Sequence, residues 1–429
     1  TNGREDADMA PRDAPRQRRP MTALRFILVF GVVSALGDIL YEGARSIHGP
    51  LLASLGATAL VVSVVTGAGE AIALALRLLF GRLADSRRRR WPLATAGYAI
   101  TAVTVPLLGL ATSLPAAAGL ILSERAGKAV RSPSKDAMLA QAGSVSGRGW
   151  AFAIHEAMDQ CGALVGPLFI AAMVAITGGF ATGLVLLIVP GVALMATLLW
   201  LRSRVPNPSV YEPGDSAGAS TDGTTSPLPR LFWAYAAFSA ITMLCFATFG
   251  LLAFHLDDLV APAWIPVIYA VAMATDALAA LGFGRLYDRA GLPALLILPL
   301  LAAVVPWLAF GSSLAMAVSG IALWGAALGI QESAMRAAVG DLVPDARRGS
   351  AYGIFAAATG VAWLLGSIII GVLYERDMSP APGTGPMSTP WSLAIAITLI
   401  QGLALTLLLV VHRVRQRSRT QHPQQNPAA

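Results

Sequence analysis

Ionisable side chains at helical spacing inside apolar segments are where this sequence could do chemistry. Asp38 and Glu42 stand four residues apart, which stacks both carboxylates on one helical face, and Arg45 follows one turn beyond Glu42. Carboxylates that close tend to share a proton, which suits a proton carrier; the alternative is a static Glu42–Arg45 ion pair that fixes helix packing. A second cluster holds Glu124, Arg125, Lys128 and Arg131, followed by Lys135 and Asp136; Lys128 and Lys135 are the sole lysines among 31 basic residues. Glu124 and Lys128 are in the favourable i,i+4 order. A third cluster is His155, Glu156 and Asp159, in which His155 and Asp159 share a face and His155 is a candidate pH switch. Antiparallel neighbours would bring Lys128 and Arg131 against His155, Glu156 and Asp159, as a proton or substrate network or as a structural one. Further along lie Asp276, then Gln331, Glu332 and Arg336, with Glu332 and Arg336 again at i,i+4. Glu70 and Arg77 lie two turns apart on one face, and Glu70 reads as a packing or network residue rather than a site. His255, Asp257 and Asp258 read as solvated at a segment end.

Such residues are costly in a membrane, about 2.5–3.5 kcal/mol each at a helix centre, so they persist where they pair or face water. A membrane is what the composition requires. Of 429 residues 55% are hydrophobic and 13% charged, with a mean hydropathy of +0.64, whereas soluble domains carry about 25% charged residues. The apolar fraction matches twelve helices of about 20 residues. The apolar runs are long and continuous, unlike the alternating segments of about ten residues in an outer-membrane barrel. Segments fall at 25–47, 57–80, 91–112, 115–138, 150–177 and 180–201, then at 231–256, 263–284, 292–311, 314–337, 350–374 and 391–412. The expected organisation is therefore a disordered tail (1–22), a six-helix bundle (23–201), a Pro- and Gly-rich linker (202–230), a second six-helix bundle (231–412) and a tail (413–429). The polar start has no small-residue cleavage site, so a tail rather than a cleaved leader is expected.

Charge placement orients the spans. With the amino terminus inside, the tails and even-numbered gaps hold 24 of the 31 basic residues, and Arg376 is the one clear basic residue of the outside loops. Basic residues accumulate in cytoplasmic loops, so both termini and the linker are expected in the cytoplasm of a multi-pass protein of the cell membrane. The net charge of +7 is thus a topology signal, not a nucleic-acid footprint. Trp233, Trp264, Trp307 and Trp391 at span ends suit an aromatic belt, while Trp324 and Trp363 lie deeper. Cys161 and Cys245 cannot frame a disulfide network or a zinc site, and five scattered histidines make no metal cluster. No phosphate-binding loop is present, so no cofactor is expected and energy must come from a gradient or from the solute.

An internal repeat divides the spans six and six. Gly81-Arg-Leu-Ala-Asp85 and Gly284-Arg-Leu-Tyr-Asp288 are 203 residues apart, and Arg131…Asp136 is matched by Arg336…Asp341 at nearly the same offset. Parallel repeats of this kind build transporters with a midplane site between the halves. The loop from Gly81 to Arg90 resembles the signature of the major facilitator superfamily, Arg125 resembles that family's conserved arginine of the fourth span, and Gly162-Ala-Leu-Val-Gly166-Pro167 is similar to its antiporter signature. The phrases Tyr41–Ser46, Gly127–Arg131 and Gln331–Arg336 resemble a bacterial branch of that superfamily.

The resemblance implies an all-α fold of two pseudo-symmetric six-helix bundles and, most directly, a monomeric secondary transporter exporting a small organic solute in exchange for protons. Asp38, Glu42, His155, Glu156 and Asp159 would then carry protons. Arg45, Glu124, Arg125, Lys128, Arg131, Gln331, Glu332 and Arg336 would line the cavity. Gly81, Asp85 and Arg89, with Gly284, Asp288 and Arg289, would latch one conformation, Gly81 permitting a tight exit from its helix and Asp85 meeting a helix amino end. Gly162, Gly166 and Pro167 would set helix packing. Uptake of an anionic solute bound by Arg45, Arg125 and Lys128 is a second reading; a membrane-embedded enzyme or a lipid scramblase is a distant third.

Overall fold

The computed structural model describes residues 21–84, 86–211, 227–343, 347–378 and 390–421. The first half comprises α1 (Ala23–Arg45), α2 (His48–Ser54), α3 (Ala59–Ala84), α4 (Arg87–Leu108), α5 (Leu114–Ser146), α6 (Arg148–Thr177), α7 (Phe180–Leu186) and α8 (Ile188–Arg204). The second comprises α9 (Arg230–Leu244), α10 (Phe249–Leu256), α11 (Trp264–Ala290), α12 (Ile297–Ala309), α13 (Leu314–Ile330), α14 (Arg336–Leu342), α15 (Arg348–Met378) and α16 (Trp391–Gln421). Short 3₁₀ turns occupy Pro208–Tyr211 and Leu292–Leu296, and no strand occurs among the described residues.

Eleven helical stretches of the described residues are long and apolar enough to cross a membrane. The expected fourth span is not among them, although α5 is a 33-residue helix. Its apolar first turns give way to Glu124, Arg125, Lys128, Arg131, Lys135 and Asp136, so the helix that fails the apolarity test is the one richest in charged residues. The expected first span, 25–47, is α1, and after a bend at Ser46–Ile47 the helix resumes as α2 beyond it; the expected seventh, 231–256, opens between α9 and α10 at Cys245–Thr248. Near-equivalent places in the two halves are interrupted, which is the repeat expressed in backbone. Where turns must be tight, glycine supplies a positive φ: Gly178 (74°) ends α6 and Gly291 (66°) ends α11. Asp377 caps α16 by accepting from the Ser392 and Leu393 amides at 2.8 and 3.1 Å.

Small residues let the bundles close. A Cβ on Gly166 would lie 2.5 Å from the Ile39 carbonyl oxygen and 2.9 Å from the Gly43 nitrogen, so α6 meets α1 backbone to backbone. Gly162 makes the same approach at Ala35, and in the second half Gly366 of α15 meets the Leu244 carbonyl of α9. Gly162 and Gly166 thus lie at the close α1–α6 contact. Gly166→Leu is expected to force α1 and α6 apart, lowering stability by at least about 1–3 kcal/mol, which a fall in the thermal unfolding midpoint of purified protein would register; an unchanged midpoint would contradict this close approach.

The two ends of the molecule differ. At one, which carries the linker, the Trp91 indole donates to the Val205 carbonyl at 3.1 Å and the Tyr211 hydroxyl to the Met21 carbonyl at 2.8 Å. At the other, the halves are closed on each other. The Leu60 amide donates to Glu375 at 2.9 Å, the Thr66 and Thr248 hydroxyls are bonded at 2.7 Å, and Gly49 of α2 abuts α10 at Gly250, Ala253 and Phe254.

Several expectations are corrected here. Gly81 and Gly284 do not make tight exits. Both lie inside α3 and α11, which run on to Ala84 and Ala290, and a Cβ on either would meet nothing within 4 Å. Near the same segments Arg90 donates to the Ala84 carbonyl at 2.9 Å, and Tyr287 bonds Asp341 at 2.9 Å. Arg89, Asp288 and Arg289 are exposed, and Asp85 lies outside the described residues. His255 is not solvated but 3% exposed, bonded to the Tyr374 hydroxyl at 2.8 Å, whereas Asp257 and Asp258 are exposed as expected. The helix α16 continues eight residues beyond the expected start of the tail, through Gln421.

Candidate functional site: a charged cavity between the halves

A cavity of about 740 Å³ lies between the halves, walled by α1, α3 and α5 on one side and by α9, α13, α14 and α15 on the other. Arg82, Asp136, Ser350 and Tyr352 at its rim are exposed and belong to the linker end, so the cavity opens there while the far end is shut. Of the expected lining residues, Arg45, Lys128, Gln331, Glu332 and Arg336 face it.

Glu124, Arg125 and Arg131 do not. They are buried behind the wall, at 4%, 2% and 4% exposure. Arg125 is held by Glu70 at 3.3 Å, by Glu124 at 3.7 Å and by a hydrogen bond to the Tyr41 hydroxyl. Glu124 therefore pairs with its neighbour Arg125, not with Lys128. Arg131 bonds Thr101 at 2.7 Å and lies over the Tyr98 ring at 4.9 Å, because Gly97 of α4 presses on α5 at that residue.

The centre of the charge network is Glu70, which the sequence marked as a packing or network residue. One carboxylate oxygen receives both Arg45 (3.0 Å) and Arg125 (3.3 Å). Arg45 also approaches Glu42 at 3.5 Å, so the static pair foreseen from the i,i+3 spacing exists, but as one link of a longer chain. At its end the Tyr269 hydroxyl of α11 donates to Glu42, which ties the two halves together. Nothing periodic in the sequence marks Tyr269; a lone hydroxyl on an apolar helix carries no charge pattern. Asp38, one turn before Glu42, is half-buried at the α1–α6 contact and has no hydrogen-bond or ion-pair partner among the described residues.

The third cluster forms with a different partner. Asp159 is met by Lys135 at 3.3 Å and by His155 at 3.3 Å, and His155 also reaches Ser34 at 3.3 Å. Lys128 is instead over the Tyr41 ring at 3.8 Å, about two turns before Lys135 along α5. Glu156 is exposed and bonds only Gln160.

Glu332 and Arg336 make no ion pair despite their spacing. Residues Gln331–Met335 form a π-helical turn between α13 and α14, and the wider turn moves residue i+4 off the face that an α-helix would give it. Both side chains are left exposed in the cavity. Arg77, two turns after Glu70 on the same face, lines it as well. Among the described residues no group of three or more His, Cys, Asp or Glu is placed to hold a metal ion.

The sequence profile of the Major Facilitator Superfamily matches residues 34–291 and 254–429. The chain belongs to the major facilitator superfamily. It is accordingly a multi-pass membrane transporter of a solute and not an enzyme. A Mycobacterium tuberculosis protein described as uncharacterized is 50% identical over 402 residues, 93% of this chain and 95% of that one. An uncharacterized MFS-type transporter of Methanocaldococcus jannaschii is 24% identical over 363 residues, 81% of this chain and 88% of that one. Among solved structures, the nucleoside transporter NupG superposes with a TM-score of 0.66 at 17% identity, covering 90% of this chain and 98% of the other. A peptide transporter in complex with sulfate gives 0.70 at 14% identity, covering 91% and 94%. At these identities the structural likenesses show the superfamily fold, two halves around a central cavity.

Proposed function

We propose that this chain is a proton-coupled secondary transporter of the cell membrane that moves a small organic solute by alternating access, exporting it in exchange for protons. The linker end is cytoplasmic, as the placement of basic residues suggests, and α5 is the twelfth span. The observation that carries the reading is the chain of ionisable groups from the cavity wall to the facing half: Glu70, Arg45, Glu42 and Tyr269. A proton arriving at Glu42 removes a charge that Arg45 and the Tyr269 hydroxyl both answer, so it alters a contact between halves and the charge beside the cavity in one event. Asp38, on the same face with no partner, is the second candidate for the travelling proton, and the Asp159 cluster stands on the same route through α6.

The solute for the test comes from a thermal-shift screen of purified protein, since binding raises stability by mass action. In proteoliposomes with an imposed pH gradient, Asp38→Asn combined with Glu42→Gln is expected to lower gradient-driven flux of that solute at least about tenfold, roughly 1.4 kcal/mol in the coupled step. Solute-for-solute exchange without a gradient is expected to persist. Gradient-driven flux at the wild-type rate in the double variant would overturn proton coupling through these carboxylates.

A further inference from the structure

We infer that the cavity is built for an amphipathic organic anion, its carboxylate or phosphate group held by Arg77, Lys128 and Arg336 and its apolar body by the aromatic wall. This rests on the cavity being the solute's path.

The first observation is charge. The cavity is lined by Arg45, Arg77, Arg82, Lys128 and Arg336 and by Glu70, Asp136 and Glu332. Arg45 and Glu70 are spent on each other at 3.0 Å. Four cations then face two carboxylates. The side chains of Arg77 and Arg336 have no hydrogen-bond or ion-pair partner among the described residues, and Lys128 makes no ion pair there but lies over the face of Tyr41, within the field of Asp38 and Glu42 on α1. Arg77 and Lys128 are half-buried and Arg336 is exposed; a cation partly withdrawn from bulk water without an ion pair is costly, and a bound anion relieves that cost. Arg45 and Arg125, the arginines expected to bind an anion in the uptake reading, are unsuited to it because they share Glu70 and are further answered by Glu42 and Glu124.

The second observation is independent of net charge. Among the described residues three buried polar atoms of the lining lack a partner: Arg77 Nε, Gln331 Nε2 and Trp363 Nε1. All three are nitrogens that donate, and no buried acceptor in the lining is left over. Gln331 and Trp363 are 8% and 5% exposed, so water does not readily serve them. An unanswered buried donor costs about 1–3 kcal/mol; a ligand rich in acceptor oxygens that draws any of these side chains toward the cavity relieves that cost, whereas an ammonium ligand cannot. Met243, Leu328, Phe355, Ala356 and Trp363 supply the apolar wall. Glu332 and Asp136 oppose further negative charge, which favours a solute with a single anionic group.

Full-length protein in detergent, titrated with naphthoate, naphthyl phosphate, naphthamide and naphthylmethylamine, separates the possibilities by calorimetry. One or both anions are expected to bind at least about tenfold more tightly than the amide and the amine, and the stronger of the two tells carboxylate from phosphate. Arg77→Gln and Lys128→Gln are each expected to weaken that anion several-fold while leaving naphthamide unchanged, which also shows that the variants are folded. Equal affinity for all four probes, preference for the amine, or no anion binding at millimolar concentration overturns the inference. Anion binding with the expected Arg77 dependence but no flux in proteoliposomes would sink the transport reading and leave the anion site standing; gradient-driven flux of a cationic solute would do the reverse.

Discussion

Glu70→Ala is expected to lower the unfolding free energy by about 3–5 kcal/mol, the cost of removing one partner from a buried ion pair. The reason lies in the count of charges that one oxygen holds. Glu70 Oε1 accepts from Arg45 and from Arg125, and these arginines are 8% and 2% exposed. Arg45 keeps Glu42 at 3.5 Å after the change, but Arg125 keeps only the longer approach of Glu124 at 3.7 Å and the Tyr41 hydroxyl. A guanidinium buried inside the first half then has too little counter-charge. Glu70→Met should show the same loss, and adding Arg125→Met to it should recover part of that loss, because the stranded cation goes with it. Thermal and denaturant unfolding of the purified variants measure this cycle. If the two substitutions prove simply additive, Glu70 and Arg125 are not coupled and the network is a crowd of separate contacts.

How far the sequence carries toward this site depends on which physics each residue obeys. Periodicity and composition locate the spans because a helix in lipid must present an apolar surface, and most expected segments lie within a few residues of the observed helices. The close approach of α6 to α1 was legible at Gly162 and Gly166 because small residues four apart mark one face of one helix. Pairings within a helix were less secure. Glu42–Arg45 formed, Glu124 chose Arg125 over Lys128, and a π turn separated Glu332 from Arg336. Pairings between helices depend on rotation and rise, which spacing does not encode. Lys135 rather than Lys128 met Asp159, and Glu70 became the centre of the network only because α1 and α5 both turn an arginine toward α3. Tyr269 was invisible for the same reason: its role exists only across the interface.

A cross-link at the closed end is expected to abolish turnover while leaving the cavity able to bind. The halves meet there along α3 and α15, where a Cβ on Gly371 would lie 3.0 Å from Ser63 Cβ and 3.0 Å from Leu60 Cα. A disulfide needs a Cβ separation of about 3.5–4.5 Å, so Ser63→Cys with Gly371→Cys requires a few tenths of an ångström of relaxation. The pair belongs in a Cys161→Ser, Cys245→Ser background, since Cys161 is exposed and would compete for the oxidant. Alternating access demands that this end open once per cycle, breaking the Leu60–Glu375 and Thr66–Thr248 hydrogen bonds and parting α2 from α10. The oxidised protein cannot make that move, so flux in proteoliposomes should fall to background and return on reduction with dithiothreitol. Binding of the solute found by thermal shift should survive oxidation, because the cavity is reached from the linker end, where Arg82 and Tyr352 are exposed. Fully cross-linked protein that still transports at the reduced rate would mean the closed end is not a gate, and the path would have to be sought elsewhere than between the halves.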